Sequence, residues 1–561
     1  MTATIEAGAD LDAATDDPPA ASRPVPAALA PWHDPHPWLG WLGTLVLAAL
    51  AGLTRFWALG FPPGKNLDPV DFKNFDEVYY ATEAQELLRY GYEDNRGYMF
   101  IVHPPLGKWL IAASEWLQGA IDGTHESTAY LANSVGWRVA PAVFGCLGVI
   151  MMSRIVRRLL RSNLFGFLGG LLMLLEGMSL VLARTAILDI FLQTFVIAAF
   201  GALVLDREHL RRRLAGLLAD GADLTGGTPS LGPRPWRLAA GVLLGLACAV
   251  KWTALSFFVL FVLLSFVWDR AALKSAGVRR PARSWLGRAV LPGLGSLVVA
   301  PVATYLFTYL GWFVGEDGWN RHWADGHSTS TRLDLLGVHI PFNWGWVPSP
   351  IRSLGAYTLD AYRFHQGLDS GHAYGSKPWS WLILGRPVDF YYNGSGTNCG
   401  SSSCSREVLL IGTPLMWWAF VPMLLWLAWH WVTTRDWRAG VVWVAFIAGW
   451  LVWFQNLDRT MFLFYMAPVI PFLIIGLTLA LGTMIGPALP PEPVRDWDDP
   501  DADPYPNAAE LQYERARRRR QWGVAGVSVY LALVIADFAW MWPLFTGGQL
   551  TYTEWHLHMW L

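Results

Sequence analysis

The sequence predicts an all-α polytopic membrane protein with about eleven transmembrane helices and two large loops on one side of the membrane. Hydrophobic residues make up 53% of the 561 residues and charged residues only 15%, and there are 33 tryptophans. This composition is not that of an ordinary soluble protein. Each apolar run that crosses lipid is expected to be a helix, because backbone polar groups there must bond within their own segment.

The predicted transmembrane segments each carry an apolar run near the roughly 20 residues that cross a bilayer. They are residues 38–59, 135–155, 164–182, 187–205, 238–250, 253–268, 290–313, 408–431, 441–454, 461–484 and 522–545.

The arginines and lysines predict the orientation, because loops on the cytoplasmic side are enriched in them. Alternate loops hold 24 of the 42 basic residues; these loops are 154–161, 206–237, 269–288, 435–438 and 495–520. The N-terminus is therefore predicted to be cytoplasmic, with 60–134, 314–407 and 546–561 facing outward. The arginine run at 515–520 is explained by topology and anionic lipid, and no nucleic acid partner is expected.

Four regions are predicted along the chain. Residues 1–36, rich in Ala, Pro and Asp, are expected to be a disordered cytoplasmic tail. Residues 37–485 form the main transmembrane domain, residues 486–520 a cytoplasmic linker with the arginine run, and residues 521–561 the last transmembrane helix with an extracytoplasmic C-terminus. Residues 214–236 are also predicted to be a disordered linker.

The two large outward loops differ in character. Loop 60–134 carries apolar residues at helical spacing in two stretches, which predicts two amphipathic helices at the membrane surface. Loop 314–407 is rich in Trp, Tyr, His and Gly, and is predicted to be a folded lid or acceptor platform. Its Cys399 and Cys404 are predicted to form a disulfide, because that compartment is usually oxidising; metal binding by the pair is the weaker alternative.

Asp76 and Glu77 are adjacent carboxylates in the first outward loop. Capping of the helix that begins near Val78 is one explanation. Acid–base chemistry is the other, because neighbouring carboxylates repel, and one could take a proton from an attacking hydroxyl while the other orients it. His103 and Lys108 lie in the same loop, where a rigid turn and an interfacial anchor would also explain them.

Several charged residues are predicted at the outer ends of membrane spans, where topology does not explain them and charge is expensive. They are Arg55, Arg138, Arg184, Asp189, Lys251 and Arg459. Converging cations could hold an anionic lipid headgroup such as a phosphate. The alternatives are snorkelling to the interface or pairing, for example of Arg184 with Asp189.

An ordered set of motifs across residues 50–485 resembles the protein O-mannosyltransferases, glycosyltransferase family 39, in their bacterial, actinobacterial-type branch. The motifs are Phe-Asp-Glu at 75–77, His-Pro-Pro-Leu-Gly-Lys at 103–108, Gly-Trp-Arg at 136–138, Ala-Arg-Thr-Ala-Ile-Leu-Asp at 183–189, Val-Lys-Trp at 250–252 and Arg-Thr-Met-Phe-Leu-Phe-Tyr-Met-Ala-Pro at 459–468. Loop 314–407 is too short for the β-trefoil MIR domain that eukaryotic members insert there, which fits the bacterial branch.

The resemblance implies the GT-C fold and transfer of mannose, with inversion, from polyprenyl phosphate mannose to serine or threonine. It implies that Asp76 is the catalytic base and that Glu77 positions the acceptor, or that the two exchange roles. Arg138 and Lys251 would contact the lipid phosphate and stabilise its charge as it leaves. Weaker candidates for the same site are Arg55, Arg184, Arg459, Tyr465, His103, Lys108, Asp189 and His372.

The implied enzyme has no required cofactor and no metal site, and it acts at the outer face of a bacterial plasma membrane. Its partners would be the lipid-linked donor, secreted Ser/Thr-containing acceptors emerging from the Sec translocon, and membrane lipids. A GT-C enzyme for another sugar such as arabinose, or for a lipid or glycan acceptor, is the nearest alternative. A transporter is the alternative of another class, although the sequence lacks paired repeats and interrupted helices.

Overall fold

Helices account for most of the described part of the chain. The computed structural model describes residues 25–62, 73–94, 102–124, 133–225, 229–335, 338–396, 399–489, 491 and 508–559. Residues 1–24 of the predicted tail 1–36 and most of residues 486–507 of the predicted linker 486–520 lie outside these residues. Disorder was the wrong expectation for the end of the tail, because Leu29 is buried and Asp34 accepts a hydrogen bond from Arg157.

In the described part of the chain, nine helices precede residue 280. They are α1 (Pro37–Phe56), α2 (Glu77–Tyr90), α3 (Leu106–Asp122), α4 (Ser134–Leu160), α5 (Asn163–Leu174), α6 (Gly177–Leu182), α7 (Asp189–Ala219), α8 (Pro235–Val250) and α9 (Ala254–Ser275). The later ones are α10 (Pro281–Thr308), α11 (Leu310–Val314), α12 (Ser349–Gln366), α13 (Pro378–Trp381), α14 (Pro414–Thr434), α15 (Trp437–Trp450), α16 (Ile470–Ile485), α17 (Ala508–Thr546) and α18 (Tyr552–Leu557). Short 3-10 helices cover Trp323–Gly326, Leu451–Gln455 and Leu463–Val469.

Nine helical segments of the described chain are long and apolar enough to cross a membrane, and α5 and α8 are shorter apolar helices. The eleven predicted spans fall on these segments, but eleven crossings remain a prediction. In the most apolar 18-residue stretch of α7 and of the segment Leu463–Ile485, 78% of the residues are buried, against 17% in that of α10. The first two therefore form the centre of the helix bundle, while α10 lies at its edge.

Both amphipathic helices predicted in loop 60–134 are confirmed as α2 and α3. Helix α2 buries Tyr80, Ala81, Ala84 and Leu87, which recur at three- and four-residue spacing. Each helix ends at a glycine with positive φ, Gly91 and Gly123, a backbone conformation that glycine adopts without a side-chain clash.

Loop 314–407 is folded, as predicted, but it contains strands that an all-α class does not include. Strands β1 (Ser330–Leu335) and β2 (Val338–Asn343) form an antiparallel hairpin. A second antiparallel sheet has the order β3 (Val388–Gly396), β4 (Cys404–Leu410), β5 (Gln549–Thr551).

The second sheet draws on two distant parts of the chain. Val388 of β3 lies opposite Leu410 of β4, and Cys404 of β4 lies opposite Thr551 of β5. Cys399 and Cys404 are joined in a disulfide at the β3–β4 turn, the pairing expected from the sequence. The predicted span 408–431 began too early, because its first apolar residues complete β4 and α14 starts only at Pro414.

Two predicted linkers are partly regular structure. Helix α7 continues to Ala219, and Leu224 and Leu231 after it are buried against Leu210 and Leu214 of that helix. Disorder across 214–236 was therefore the wrong expectation for these residues, because the apolar side chains among the glycines pack. The arginine run at 515–520 lies on α17, which begins at Ala508.

A buried ion pair fixes the start of α2 against α4. Glu77 and Arg138 have fully buried side chains, and Arg138 donates to both carboxylate oxygens from Nε and Nη2, each at 2.8 Å. The backbone amides of Asn74 and Ala186 donate to the same carboxylate at 2.7 and 2.8 Å. Four donors therefore compensate this charge for its loss of water.

We expect the Arg138→Gln variant to unfold far more easily than the wild type, because it leaves a buried carboxylate without its cation. Removing one partner of such a pair costs about 3–5 kcal/mol. Thermal unfolding in detergent measures the change. The matched control is Arg363→Gln, whose side chain is 68% exposed beside Asp360 and should contribute about 1 kcal/mol or less. Equal unfolding temperatures for the two variants would contradict the structural role of Arg138.

Candidate active site

Asp76 differs from its neighbour Glu77 in having a carboxylate that is half-buried and not used to hold the helix. Asp76 occupies the N-cap position of α2, yet its side chain makes no capping hydrogen bond with the described backbone. The capping explanation raised by the sequence is therefore wrong. Glu77 is therefore held in structural contacts, whereas the Asp76 carboxylate makes no capping contact.

The backbone before Asp76 is held in an unusual conformation. Phe75 has φ of 50°, the left-handed region that costs a non-glycine residue about 1–2 kcal/mol. Its ring is stacked on Phe390 at 5.0 Å and meets Phe462 edge-on at 5.6 Å. A strained backbone of this kind is kept only where the surrounding packing holds it. Here the contacts of the Phe75 ring hold the strained residue, and they therefore fix the backbone position of Asp76.

A second buried ion pair, Lys251 with Asp189, lies near Asp76. Lys251 is the C-cap residue of α8 and Asp189 is the first residue of α7, so each charge suits the dipole of its helix. The Lys251 ammonium lies 2.7 Å from an Asp189 oxygen. It also lies 5.3 Å from the centre of the Tyr465 ring, a cation–π distance.

The surroundings of Asp76 make it a better base than a free aspartate. Burial raises the pKa of Asp76 to about 6; the Lys251 ammonium opposes this rise and the Asp189 carboxylate adds to it. A base with a pKa near the working pH combines the correct protonation state with a useful affinity for protons.

Arg459 supplies a second cation to the same region. Its Nη1 lies 3.3 Å from the Tyr465 hydroxyl, and its Nε donates to the backbone carbonyl of His365 at 2.9 Å. Its guanidinium also lies 5.5 Å from the Trp453 ring. Lys251 and Arg459 therefore approach Tyr465 from two elements, and both belong to the predicted set of cations.

Two histidines near these cations are neutral. The rings of His103 and His365 are 4.9 Å apart. Burial lowers the pKa of His103 well below its ordinary value and that of His365 to about 4, and Lys251 and Arg459 add to both shifts. His365 Nε2 must donate to the Val102 carbonyl at 2.8 Å, so its Nδ1 is the acceptor that faces Arg459 at 3.3 Å.

His372 is another aromatic neighbour of Phe75. It is exposed, and its ring centre lies 5.7 Å from that of Phe75 and 5.2 Å from that of Phe462. It therefore packs against the aromatic side chains that hold the backbone just before Asp76.

Two of the predicted phosphate-binding arginines, Arg55 and Arg184, instead bond to helix ends. Arg55, 1% exposed, donates to the carbonyls of Met173 and Leu174 in the last turn of α5. Arg184 donates to carbonyls at the end of α1, those of residues 54, 55, 57 and 58. The last carbonyls of a helix lack intrahelical partners, so a buried arginine satisfies them.

Arg138 and Lys108 are likewise engaged in structural contacts. Besides Glu77, Arg138 donates from Nη1 to the carbonyls of Leu59 and Phe61, at 3.2 and 2.6 Å. Lys108 is fully buried and paired with Glu83, at 3.3 Å, and with Glu93. This geometry does not favour direct contact of Arg138, Arg55 or Arg184 with a donor phosphate, and it corrects the interfacial-anchor interpretation of Lys108.

The site also contains residues that the sequence analysis does not single out. Tyr80 lies one helical turn after Asp76, and its ring is 6.0 Å from that of His103. The i to i+4 spacing from Asp76 could have identified it. His365 and Trp252, with ring centres 6.2 Å apart, come from distant segments. Trp252 follows Lys251 in a predicted motif, whereas His365 had no signal beyond its residue type.

No metal centre is found among the residues that the structure describes, since no three His, Cys, Asp or Glu side chains there form a ligand cluster. The site instead brings one carboxylate with a raised pKa, Asp76, near the cations Lys251 and Arg459 and several aromatic side chains. This arrangement can remove a proton from a hydroxyl while stabilising negative charge that develops on a departing group.

The sequence matches two family models. Residues 45–313 match the dolichyl-phosphate-mannose-protein mannosyltransferase family, and residues 355–561 match the C-terminal four-transmembrane region of protein-O-mannosyltransferase.

Curated relatives extend over nearly the whole chain. The polyprenol-phosphate-mannose–protein mannosyltransferase of Mycolicibacterium smegmatis is 39% identical over 530 residues, 93% of this chain and 92% of the relative. The protein of the same name from Mycobacterium tuberculosis is 39% identical over 532 residues, 93% of this chain and 91% of the relative. That of Corynebacterium glutamicum is 36% identical over 454 residues, 79% of this chain and 82% of the relative.

A solved structure shares the fold. The Saccharomyces cerevisiae protein O-mannosyltransferase Pmt1–Pmt2 complex bound to the sugar donor superposes with a TM-score of 0.66 at 16% identity, covering 93% of this chain and 92% of that chain. The predicted GT-C fold is confirmed. With both family models and relatives at 39% identity over most of its length, this chain belongs to the protein O-mannosyltransferase family.

Proposed function

We propose that this protein transfers mannose from polyprenyl phosphate mannose to serine or threonine hydroxyls of secreted proteins. The names of the curated relatives support the donor and the protein acceptor. The observation that carries the chemistry is the contrast within the acidic pair: Glu77 is bonded to four donors, and Asp76 faces the Lys251–Asp189 pair with its carboxylate uncommitted to the helix.

Asp76 acts as the general base in this proposal. The acceptor oxygen attacks C1 of the mannose as its proton passes to the Asp76 carboxylate. The bond between C1 and the phosphate oxygen breaks, and the lipid phosphate leaves with the bonding electrons. Attack opposite to the leaving group inverts the sugar carbon. Asp189 is a poorer candidate for this role, because Lys251 already neutralises it at 2.7 Å.

Lys251 and Arg459 stabilise the departing phosphate in this proposal, with Tyr465 between them. Lys251 is held by Asp189 and the Tyr465 ring, and Arg459 by His365 and the Tyr465 hydroxyl. Cations held in place before the reaction lower the energy of the developing charge without reorganising. The neutral His103 and His365 add no further charge to the pocket.

We infer that the reaction takes place on the outer face of the plasma membrane, with the N-terminus in the cytoplasm. Support comes from Arg154, Arg157 and Arg158, which lie at the end of α4 away from Arg138 and the Asp76 site, and from the arginine run at 515–520 near the start of α17. Acceptors would then be secreted chains, met as they leave the Sec translocon.

The Asp76→Asn variant should retain its fold and lose turnover by about 10²–10⁴-fold, the usual contribution of a general base. Mannosyl peptide formed from polyprenyl phosphate mannose and a Ser/Thr-rich peptide is the measured product. Asp122→Asn, which removes the same charge from an exposed position at the end of α3, is the control and should keep full activity. Normal turnover in a folded Asp76→Asn variant would rule out the base assignment.

Activity should fall as the pH drops below about 6. The base must be deprotonated, and the pKa of Asp76 is raised to about 6, so the rate should lose about tenfold per pH unit below that value. Removing the Lys251 ammonium, which lowers this pKa, should move the inflection to higher pH. The pH dependence of kcat/KM tests both statements, and a profile that stays flat down to pH 5 would contradict them.

The Lys251→Met variant should lower kcat/KM for the donor by about 10²–10³-fold, the loss typical for one fixed donor to a developing charge. Because the single change leaves Asp189 buried and unpaired, the double variant Lys251→Met/Asp189→Asn separates catalysis from folding. Our expectation is that the double variant recovers thermal stability but not activity. Recovery of activity by the double variant would show that Lys251 only neutralises Asp189.

A further inference from the structure

A cavity of about 360 Å³ lies between the ends of α4 and α7, the start of α15 and the segment 28–32. Six arginines line it: Arg158, Arg161, Arg207, Arg211, Arg212 and Arg438. Among the described residues of the lining, Glu208 and Asp436 are the acidic ones, so this lining carries an excess of four positive charges.

This arginine cavity is separate from the Asp76 site. Helix α4 carries Arg138, bonded to Glu77, near one end and Arg158 near the other. Twenty residues at 1.5 Å per residue separate them by about 30 Å, which is the thickness of the hydrocarbon core of a bilayer. The cavity therefore lies at the opposite end of the helix bundle.

The two carboxylates do not neutralise the arginines. Glu208 serves both Arg158, at 2.7 Å, and Arg212, at 3.0 Å. Asp436 is paired with Arg438 at 2.6 Å.

The remaining three arginines, Arg161, Arg207 and Arg211, form no ion pair with any carboxylate in the part of the chain that the structure describes. The Nε atoms of Arg207 and Arg211 are buried, and they have no hydrogen-bond partner there. Unpaired guanidinium groups in an enclosed space are costly unless an anion compensates them.

The cavity is also preorganised and partly apolar. The Arg207 guanidinium lies 4.0 Å from the centre of the Trp437 ring, which fixes its plane. Arg211 donates to the carbonyl of Ala28, and the adjacent Leu29 is buried against Leu210 and Leu214. The segment 28–32 thus closes one side, and Leu159, Leu160 and Val204 contribute apolar wall.

We propose that the arginine cavity binds a phosphate-bearing anion, and specifically the headgroup of an anionic phospholipid whose chains extend along the helices. Arginine forks match the geometry of phosphate oxygens, and several from different elements can hold one group. The position one bilayer thickness from the Asp76 site matches the level of the headgroups of the other leaflet. A free phosphate shares the recognition chemistry, and the experiment distinguishes the two sources.

The test is native mass spectrometry of the full-length protein in detergent, titrated with phosphatidylglycerol or with phosphatidylcholine. The wild type should bind at least one phosphatidylglycerol about tenfold more tightly than phosphatidylcholine. Arg207→Gln/Arg211→Gln should lose this preference. Arg279→Gln/Arg280→Gln is the matched control, since it removes the same charge from exposed positions just before α10 and outside the cavity, and it should retain the preference.

Further arms keep the outcome decisive. Displacement of the lipid by millimolar inorganic phosphate would identify a free phosphate as the sufficient ligand, whereas resistance to displacement supports the phospholipid. If the double variant does not fold, Arg161→Gln replaces it, because Arg161 is exposed and should still cost severalfold in affinity. Equal binding of both lipids, or equal binding by the cavity variant and its control, would overturn the proposal.

Discussion

The position of Asp76 depends on the buried pair Glu77–Arg138. This pair joins the start of α2 to α4 through two parallel hydrogen bonds, and the Ala186 amide adds the turn before α7 to the same carboxylate. Two charges without water are expensive, so the contact persists only because every oxygen is satisfied. Asp76 is the neighbour of Glu77, so the contacts that hold Glu77 also fix the position of the Asp76 backbone.

The two carboxylates of one dipeptide thus have different environments, which the sequence alone does not reveal. Glu77 is a carboxylate stabilised by four donors in a place without water, whereas Asp76 is half-buried and its ionisation is disfavoured by burial. The difference comes from tertiary contacts more than from residue type. Tertiary contacts also separate the cations. Lys251 and Arg459 approach Tyr465, while Arg55 and Arg184 donate hydrogen bonds to carbonyls at helix ends.

The sequence could predict features set by local pattern and by the family motifs. Helices α2 and α3 follow from apolar spacing, and the acidic pair follows from the Phe-Asp-Glu motif. The division of the arginines could not be predicted, because periodicity does not reveal which helix end lies beside which cation. Strand β4 could not be predicted because its apolar residues run directly into those of α14. His365 could not be predicted as a site residue because only the folded loop brings it to Arg459.

Strand β5 imposes an order on the maturation of the protein. Gln549–Thr551 complete the sheet begun by β3 and β4, and Trp555 donates from its indole to Glu407 of β4 at 2.5 Å. More than a hundred residues, including α14 to α17, separate β4 from β5. During synthesis from the N-terminus, the edge of β4 therefore stays open until α17 has been made and placed. Strand β5 therefore joins the sheet only after the rest of it has been synthesised.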